Sequence, residues 1–241
     1  MTSLKEFYEN DSQRFWNPLD GMIGRDLHLA ALISSFGSKL SVLEYGPGSG
    51  SLLLNLYKEK VAAFISAYDI SEQVISSLTS NFNSQNVSDN NLISPAFFVT
   101  PNDLMHSTHD CSVDVGVCAD TLEHVLDPFV VLKEFSRVIR PGGLLIISVP
   151  NYSYIRHLYK LLQGKQPITG GKSSVSEWIN HGWDGMHLHT FTHESLTTAL
   201  TTSGFSVKSV VGDSSKKGII AYLQKLYPTL LSGTLTAIAI K

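Results

Sequence analysis

The sequence predicts an α/β fold: a seven-stranded, mostly parallel sheet with helices on both faces and an antiparallel last strand. Three observations predict it. Apolar runs of strand length alternate with stretches of helical periodicity. The runs are continuously apolar rather than alternating, which suits strands covered on both faces. The last two runs have no clean crossover helix in a β-α-β sense, so they are expected to pair as an antiparallel edge.

In chain order, helical spacing covers Leu4–Arg14 and Arg25–Phe36, and a turn-rich aromatic loop, Phe15–Gly21, lies between them. Leu40–Glu44 reads as the first strand, followed by a glycine turn and a helix over Ser51–Lys60. Val61–Tyr68, Ala96–Thr100, Val113–Cys118 and Leu144–Val149 are the next strands, with helices over Glu72–Phe82 and Phe129–Ile139. Pro141-Gly142-Gly143 ends a helix and turns the chain into a strand. After the helix His193–Ser203, Phe205–Val211 and Leu235–Ile240 are the last strands. Two segments break the alternation: Asn151–Thr190, rich in Gly, Ser, His and aromatic residues, and Gly212–Gly233. Segments of this length inside a compact domain carry function or helices of their own. The expected organisation is a single domain over residues 1–241, with an N-terminal helical lid (about 1–36) and an inserted substrate cap (about 151–190).

Composition narrows the function. With 43% hydrophobic and 16% charged residues the chain can bury a sizeable core. Eighteen Lys and Arg against 21 Asp and Glu give a net charge of −3, which leaves no basic excess for nucleic acid. The only cysteines, Cys111 and Cys118, form no C-x-x-C pair and read as reduced thiols of a cytoplasmic protein. The N-terminus lacks a signal-peptide core, and no apolar run is long enough to span a bilayer.

The chemistry is concentrated at strand ends. The first strand ends in Glu44, and Gly46, Gly48 and Gly50 follow at alternate positions before a helix. Such a turn leaves room for a ligand against the backbone. Glu44 suits an ammonium or ribose hydroxyls better than a pyrophosphate. A dinucleotide fingerprint is G-x-G-x-x-G, and Ser51 stands where its third glycine belongs. Asp69 ends the second strand, where an acid accepts hydrogen bonds from ribose hydroxyls, and Ile70 follows it. Asn102, Asp103 and Leu104 lie just beyond the third strand. There an acid can accept the exocyclic amine of adenine, and Asp103 is preferred over Asn102.

The E-x-G-x-G-x-G form of Glu44–Gly50 resembles the first motif of class I S-adenosylmethionine-dependent methyltransferases. The run Val113–Ala119 leads into Leu122-Glu123-His124-Val125, Asp127-Pro128 and Glu134-x-x-Arg137-Val-Ile-Arg-Pro-Gly-Gly143. That order closely resembles the ubiquinone-biosynthesis-methyltransferase-like branch, as does Met186–Thr192. The likeness runs from about Phe15 to Val211, and Asn151–Gly185 has no usable counterpart. It implies a Rossmann-like fold and S-adenosylmethionine as cofactor, with S-adenosylhomocysteine as product. The implied cofactor residues are Glu44, Gly46, Gly48, Gly50, Asp69, Ile70, Asn102, Asp103, Leu104, Cys118 and Ala119. The reaction it implies is methyl transfer to a small-molecule acceptor, with a hydroxyl oxygen as the expected site. A nicotinamide-dependent oxidoreductase is the alternative enzyme, disfavoured by Ser51 and by L-E-H-V. A non-catalytic accessory subunit of the same fold is the third reading.

Histidine supplies the candidate base, since imidazole takes a proton near neutral pH. His124 lies just past the fourth strand, and His187 and His189 lie on the expected cap; His124 and His189 rank ahead of His187. The H-x-H spacing of His187 and His189 invites a metal, with His181 and Asp184 to complete the site. Two histidines alone do not make a zinc site, and no metal is expected.

Overall fold

The structure, a computed structural model, describes Lys5 and residues 24–84, 95–170, 184–212 and 219–241. The expected helix Leu4–Arg14, the loop Phe15–Gly21 and His181 lie outside the described residues, apart from Lys5. The chain builds α1 (Arg25–Phe36), β1 (Leu40–Tyr45), α2 (Ser51–Lys58), β2 (Ala62–Asp69), α3 (Glu72–Ser84), β3 (Ala96–Val99) and β4 (Val113–Ala119). It continues with α4 (Pro128–Val138), β5 (Ile139–Pro150), α5 (Ile155–Leu162), α6 (His193–Thr202), β6 (Ser206–Gly212), α7 (Ile219–Leu226), α8 (Pro228–Leu231) and β7 (Thr234–Ile240).

One seven-stranded sheet results, in the order β3-β2-β1-β4-β5-β7-β6. β1 to β5 pair in parallel, and β7 runs antiparallel to both β5 and β6. The last strand is therefore interior and the edge belongs to β6, a refinement of the expected antiparallel edge. Burial explains the placement: Leu235, Ala237 and Ala239 of β7 are fully buried, whereas β6 alternates between half-buried and exposed residues.

The sheet has a core on each face because side chains alternate along a strand. Val42 of β1 packs with Leu29 and Ile33 of α1, Leu53 and Leu56 of α2 and Leu78 of α3. Leu43 turns the other way, into the cluster of Leu132 and Phe135 of α4 and Leu196 and Leu200 of α6. Each fully buried side chain of this size contributes about 1.5–3 kcal/mol before the entropy of ordering it. α4 starts where Asp127 accepts the Phe129 N–H at 2.8 Å and Pro128 takes the first turn. α6 starts in a reciprocal cap between Thr192 and Ser195.

Pro141-Gly142-Gly143 differs from its sequence reading. It lies inside β5, which starts at Ile139 directly after α4. Ile139 faces Val113 and Leu144 faces Val115, so the three residues bulge out of the ladder. No helix among the described residues is long and apolar enough to cross a membrane.

Candidate active site

Parallel strands that share a sheet present their carboxyl ends on one edge, and a ligand crevice opens where the strand order reverses. Here the reversal lies between β1 and β4. A cavity of about 540 Å³ opens there, walled by Glu44, Tyr45, Asp69, Ala119, Asp120 and Pro150 from the strand ends. Arg25 and Asp26 from the start of α1 enter its wall, as do Thr169, Gly170 and His187 from the predicted cap.

The three glycines of the loop have left-handed φ values between 52° and 73°, but different neighbours. A Cβ on Gly46 would stand 2.2 Å from Thr121 Oγ1, and one on Gly50 would stand 2.0 Å from Leu78 Cδ1. A Cβ on Gly48 would meet nothing within 4 Å. Gly46 and Gly50 thus let the loop pack against protein, and Gly48 keeps backbone open to the cavity.

Glu44 is buried, and its Oε2 has no hydrogen-bond partner among the described residues. Burial, with Asp26 nearby, pushes its carboxyl well above the usual range. Asp26 accepts the Ser51 hydroxyl at 2.6 Å, and Arg25 pairs with both Asp26 and Asp120. Asp69 Oδ1 accepts the Ser71 N–H at 2.9 Å. Ser71 in turn accepts the Val74 N–H, so Ser71 serves the start of α3 and Asp69 is turned to the cavity. Asp103 sits at φ 60° and accepts a hydrogen bond from the Tyr45 phenol. Pro101, Ile70 and Val74 supply apolar wall around it.

This half of the cavity fits S-adenosylmethionine. An orphaned buried carboxyl oxygen suits an ammonium donor, and the open backbone at Gly48 accommodates the amino-acid part. Asp69 suits a ribose diol, and Asp103 between apolar residues suits an aminated base.

At the other end stand Glu123, His124 and His187. Glu123 is buried, and neither carboxyl oxygen has a hydrogen-bond partner among the described residues. Burial and the neighbouring Asp120 push it up to about 8. His124 Nδ1 lies 3.2 Å from the Met186 carbonyl, which fixes the proton there and leaves Nε2 as an acceptor. Burial and His187 lower His124 to about 4. His187 Nδ1 lies 2.6 Å from the Thr169 hydroxyl, and Thr169 also donates to Asp184. Burial lowers His187 as well. The two imidazole rings meet edge to face with centroids 4.6 Å apart. At neutral pH the cluster therefore carries a protonated carboxyl beside two neutral imidazoles. One ligand atom from each residue lies within 4.8 Å of the others, so the trio is also the place where a cation would be held.

Several expected site residues lie off the cavity wall. Asn102 is exposed, and Leu104 is tied down by its carbonyl, which accepts the Thr100 hydroxyl at 2.8 Å. Cys118 is fully buried in the core beneath the floor, while Ala119 after it reaches the wall. Gly50 packs on α3. His189 Nε2 lies 2.9 Å from the Val125 carbonyl, so its ring secures the turn after β4 and does not line the cavity. The wall residues Arg25, Asp26, Asp120 and Glu123 had no site role in the sequence reading. Glu123 was visible as the partner of His124 in L-E-H-V; the first two carried no sequence signal, because only the packing of α1 brings them to the loop.

Residues 15–210 match the family model described as "Methyltransferase domain". Over 159 residues the chain is 28% identical to the ubiquinone biosynthesis O-methyltransferase of Coxiella burnetii. That alignment covers 63% of each protein, so the chain spans just under two thirds of the length of this curated relative. Among solved structures, one similar fold is in the complex between the Haloferax volcanii Trm112 methyltransferase activator and its methyltransferase. That match has a TM-score of 0.65 at 18% identity and covers 99% of this chain and 97% of that one. Another is a SAM-dependent methyltransferase from Aquifex aeolicus, with a TM-score of 0.63, 15% identity, and 96% and 97% coverage.

Proposed function

The chain belongs to the methyltransferase-domain family, and we propose that it moves the methyl group of S-adenosylmethionine onto a hydroxyl oxygen of a small molecule. The carrying observation is that one cavity joins the glycine loop to the Glu123–His124–His187 cluster. Its volume of about 540 Å³ is in the range of small-molecule sites.

The cofactor supplies an electrophilic methyl group on a sulfonium. The protein's part is to hold the cofactor, align the acceptor and take its proton. Glu44 and Asp26 bind the ammonium, Gly46, Gly48 and Ala119 leave room for the methionine chain, Asp69 binds the ribose, and Ile70 and Asp103 hold the adenine. At the acceptor end, a hydroxyl donates to Nε2 of His124 or His187. Glu123 donates to the acceptor while protonated and becomes the stronger proton acceptor once ionised. His189 secures the turn after β4 from outside the cavity through the Val125 carbonyl.

The lid expected over residues 1–36 lies mostly outside the described residues, and of its described part Arg25 and Asp26 border the cavity. Residues 151–190 act as a cap, of which Thr169, Gly170 and His187 already border the cavity. Both cysteines are unpaired, which supports a cytoplasmic setting. No metal enters this reading, since a carboxyl beside two imidazoles can handle a proton without one.

The test uses the purified protein with S-adenosylmethionine carrying a labelled methyl group and a panel of phenols, alcohols, amines and activated carbon acids. Label is expected in an O-methyl ether. Label found only on nitrogen or carbon overturns the hydroxyl reading. S-adenosylhomocysteine, but not NAD, is expected to raise the melting temperature.

A further inference from the structure

Tyr45 occupies the last position of β1, directly before Gly46. It is 3% exposed, yet its phenol reaches the cavity wall and donates a hydrogen bond to Asp103 Oδ1, 58 residues away in sequence. Asp103 stands in the turn after β3 with φ 60°, a left-handed conformation that aspartate tolerates better than most residues. Burial, with Asp103 beside it, raises the Tyr45 phenol well above its ordinary value, so it remains a donor at every physiological pH. One carboxylate oxygen of Asp103 is thereby engaged from inside the protein, and the other is left to a ligand.

We propose that Tyr45 is a positioning residue that makes the nucleoside pocket selective for a 6-amino purine, by locking Asp103 as a pure hydrogen-bond acceptor. The proposal rests on the reading that Asp103 faces the adenine. A carboxylate has no proton to give, so it accepts from the exocyclic amine of adenine and repels the carbonyl oxygen of a 6-oxo purine. Without the phenol, the Asp103 side chain can turn away, and that change lets it tolerate the carbonyl. Strand β1 thus carries two functions at adjacent residues: Gly46 begins the turn that makes room for the cofactor, and Tyr45 sets the donor–acceptor pattern at its far end.

The experiment measures calorimetric affinities of the whole protein for S-adenosylhomocysteine and for S-inosylhomocysteine, its 6-oxo counterpart. The wild type is expected to prefer the amine by about tenfold to a hundredfold, the range of one hydrogen bond to a charged group. Tyr45→Phe keeps the ring and removes the hydroxyl. Its preference is expected to fall by about tenfold, with S-inosylhomocysteine bound at least as tightly as by the wild type. A merely structural role would weaken both ligands together and leave their ratio unchanged. Tyr45→Leu is read in the same way should the phenylalanine variant fail to fold. Asp103→Asn presents an amide donor and is expected to favour the 6-oxo ligand. If the wild type does not discriminate, the reading of Asp103 fails and the inference fails with it. If the wild type discriminates and the Tyr45 variants keep the full ratio, the reading of Asp103 stands and the role of Tyr45 is overturned.

Discussion

His187 Nε2 and Glu123 Oε1 face each other at 3.9 Å, joining the cap segment to the turn after β4. The Leu188 and His189 N–H groups donate to the Glu123 carbonyl at 2.8 and 3.0 Å, so backbone as well as side chain holds this meeting in place. The acceptor end is thus assembled from two distant stretches of sequence, and its protonation state is set by their joint burial of Glu123.

Methyl transfer should become faster as pH rises through about 8, because the carboxylate form of Glu123 is the better proton acceptor and exists above that value. Glu123→Gln should remove this limb and lower turnover by about 10²–10⁴-fold while binding S-adenosylhomocysteine normally. A pH–rate profile of the variant that still rises through the same region would show that another group controls it.

The same residue should make the fold pH-sensitive. Its folded-state value lies above the ordinary 4.5, so the folded protein holds a proton that the unfolded chain gives up. Stability from this group is full below about 4.5 and is lost as pH rises towards 8. Glu123→Gln should therefore gain melting temperature over the wild type at pH 8–9, by about 2–4 °C for each kcal/mol recovered. Equal melting curves across that range would contradict the burial argument.

The loop glycines should separate binding from folding. Gly48→Val points a side chain into open cavity without a clash, so beyond the strain of its left-handed φ of 52° its main effect should be to abolish S-adenosylhomocysteine binding. Gly50→Val drives into Leu78 and should destabilise by about 1–3 kcal/mol from overpacking alone. Asp69→Ala should weaken S-adenosylhomocysteine by about 1.5–3 kcal/mol for each charge-assisted bond lost. Calorimetry and thermal melts on the three variants make the comparison.

His124→Gln and His187→Gln remove ring nitrogens at the cavity and should lower turnover with cofactor affinity intact. His189→Gln removes a clamp on the Val125 carbonyl, and its effect should appear in the melting temperature, at about 1 kcal/mol, with turnover near that of the wild type. Steady-state kinetics showing the largest fall at His189 would reverse this order.

Exhaustive chelation should leave turnover unchanged, because a carboxyl and two imidazoles can handle a proton without an ion. Loss of activity on chelation that is restored by one divalent ion would reassign Glu123, His124 and His187 from proton handling to metal binding.

Much of this arrangement was legible in the sequence, for physical reasons. The strand–helix alternation and the acids at strand ends are local signals. They located Glu44, Asp69 and Asp103 because a parallel sheet brings its carboxyl ends together whatever the details. The bulge at Pro141–Gly143 escaped because turn chemistry inside a strand reads like turn chemistry at its end. Arg25 and Asp26 escaped because no local pattern says which helix start abuts a glycine loop. The place of His189 off the cavity wall escaped for a similar reason: sequence spacing puts it beside His187, but it does not tell which ring turns inward and which grips a carbonyl.

The position of β7 between β5 and β6 has a bearing on biosynthesis. β5 emerges from the ribosome with β4 already available on one side, but its other neighbour comes only after the cap, α6, β6 and the α7–α8 segment. During that interval the open edge of β5 is a row of unpaired amides flanked by Leu145, Ile147 and Val149, the pattern that templates aggregation. Leu235–Ile240 therefore acts as a closing seam. A chain interrupted before it would be expected to collect in aggregates or be taken up by chaperones, even though its entire cofactor loop had already been made.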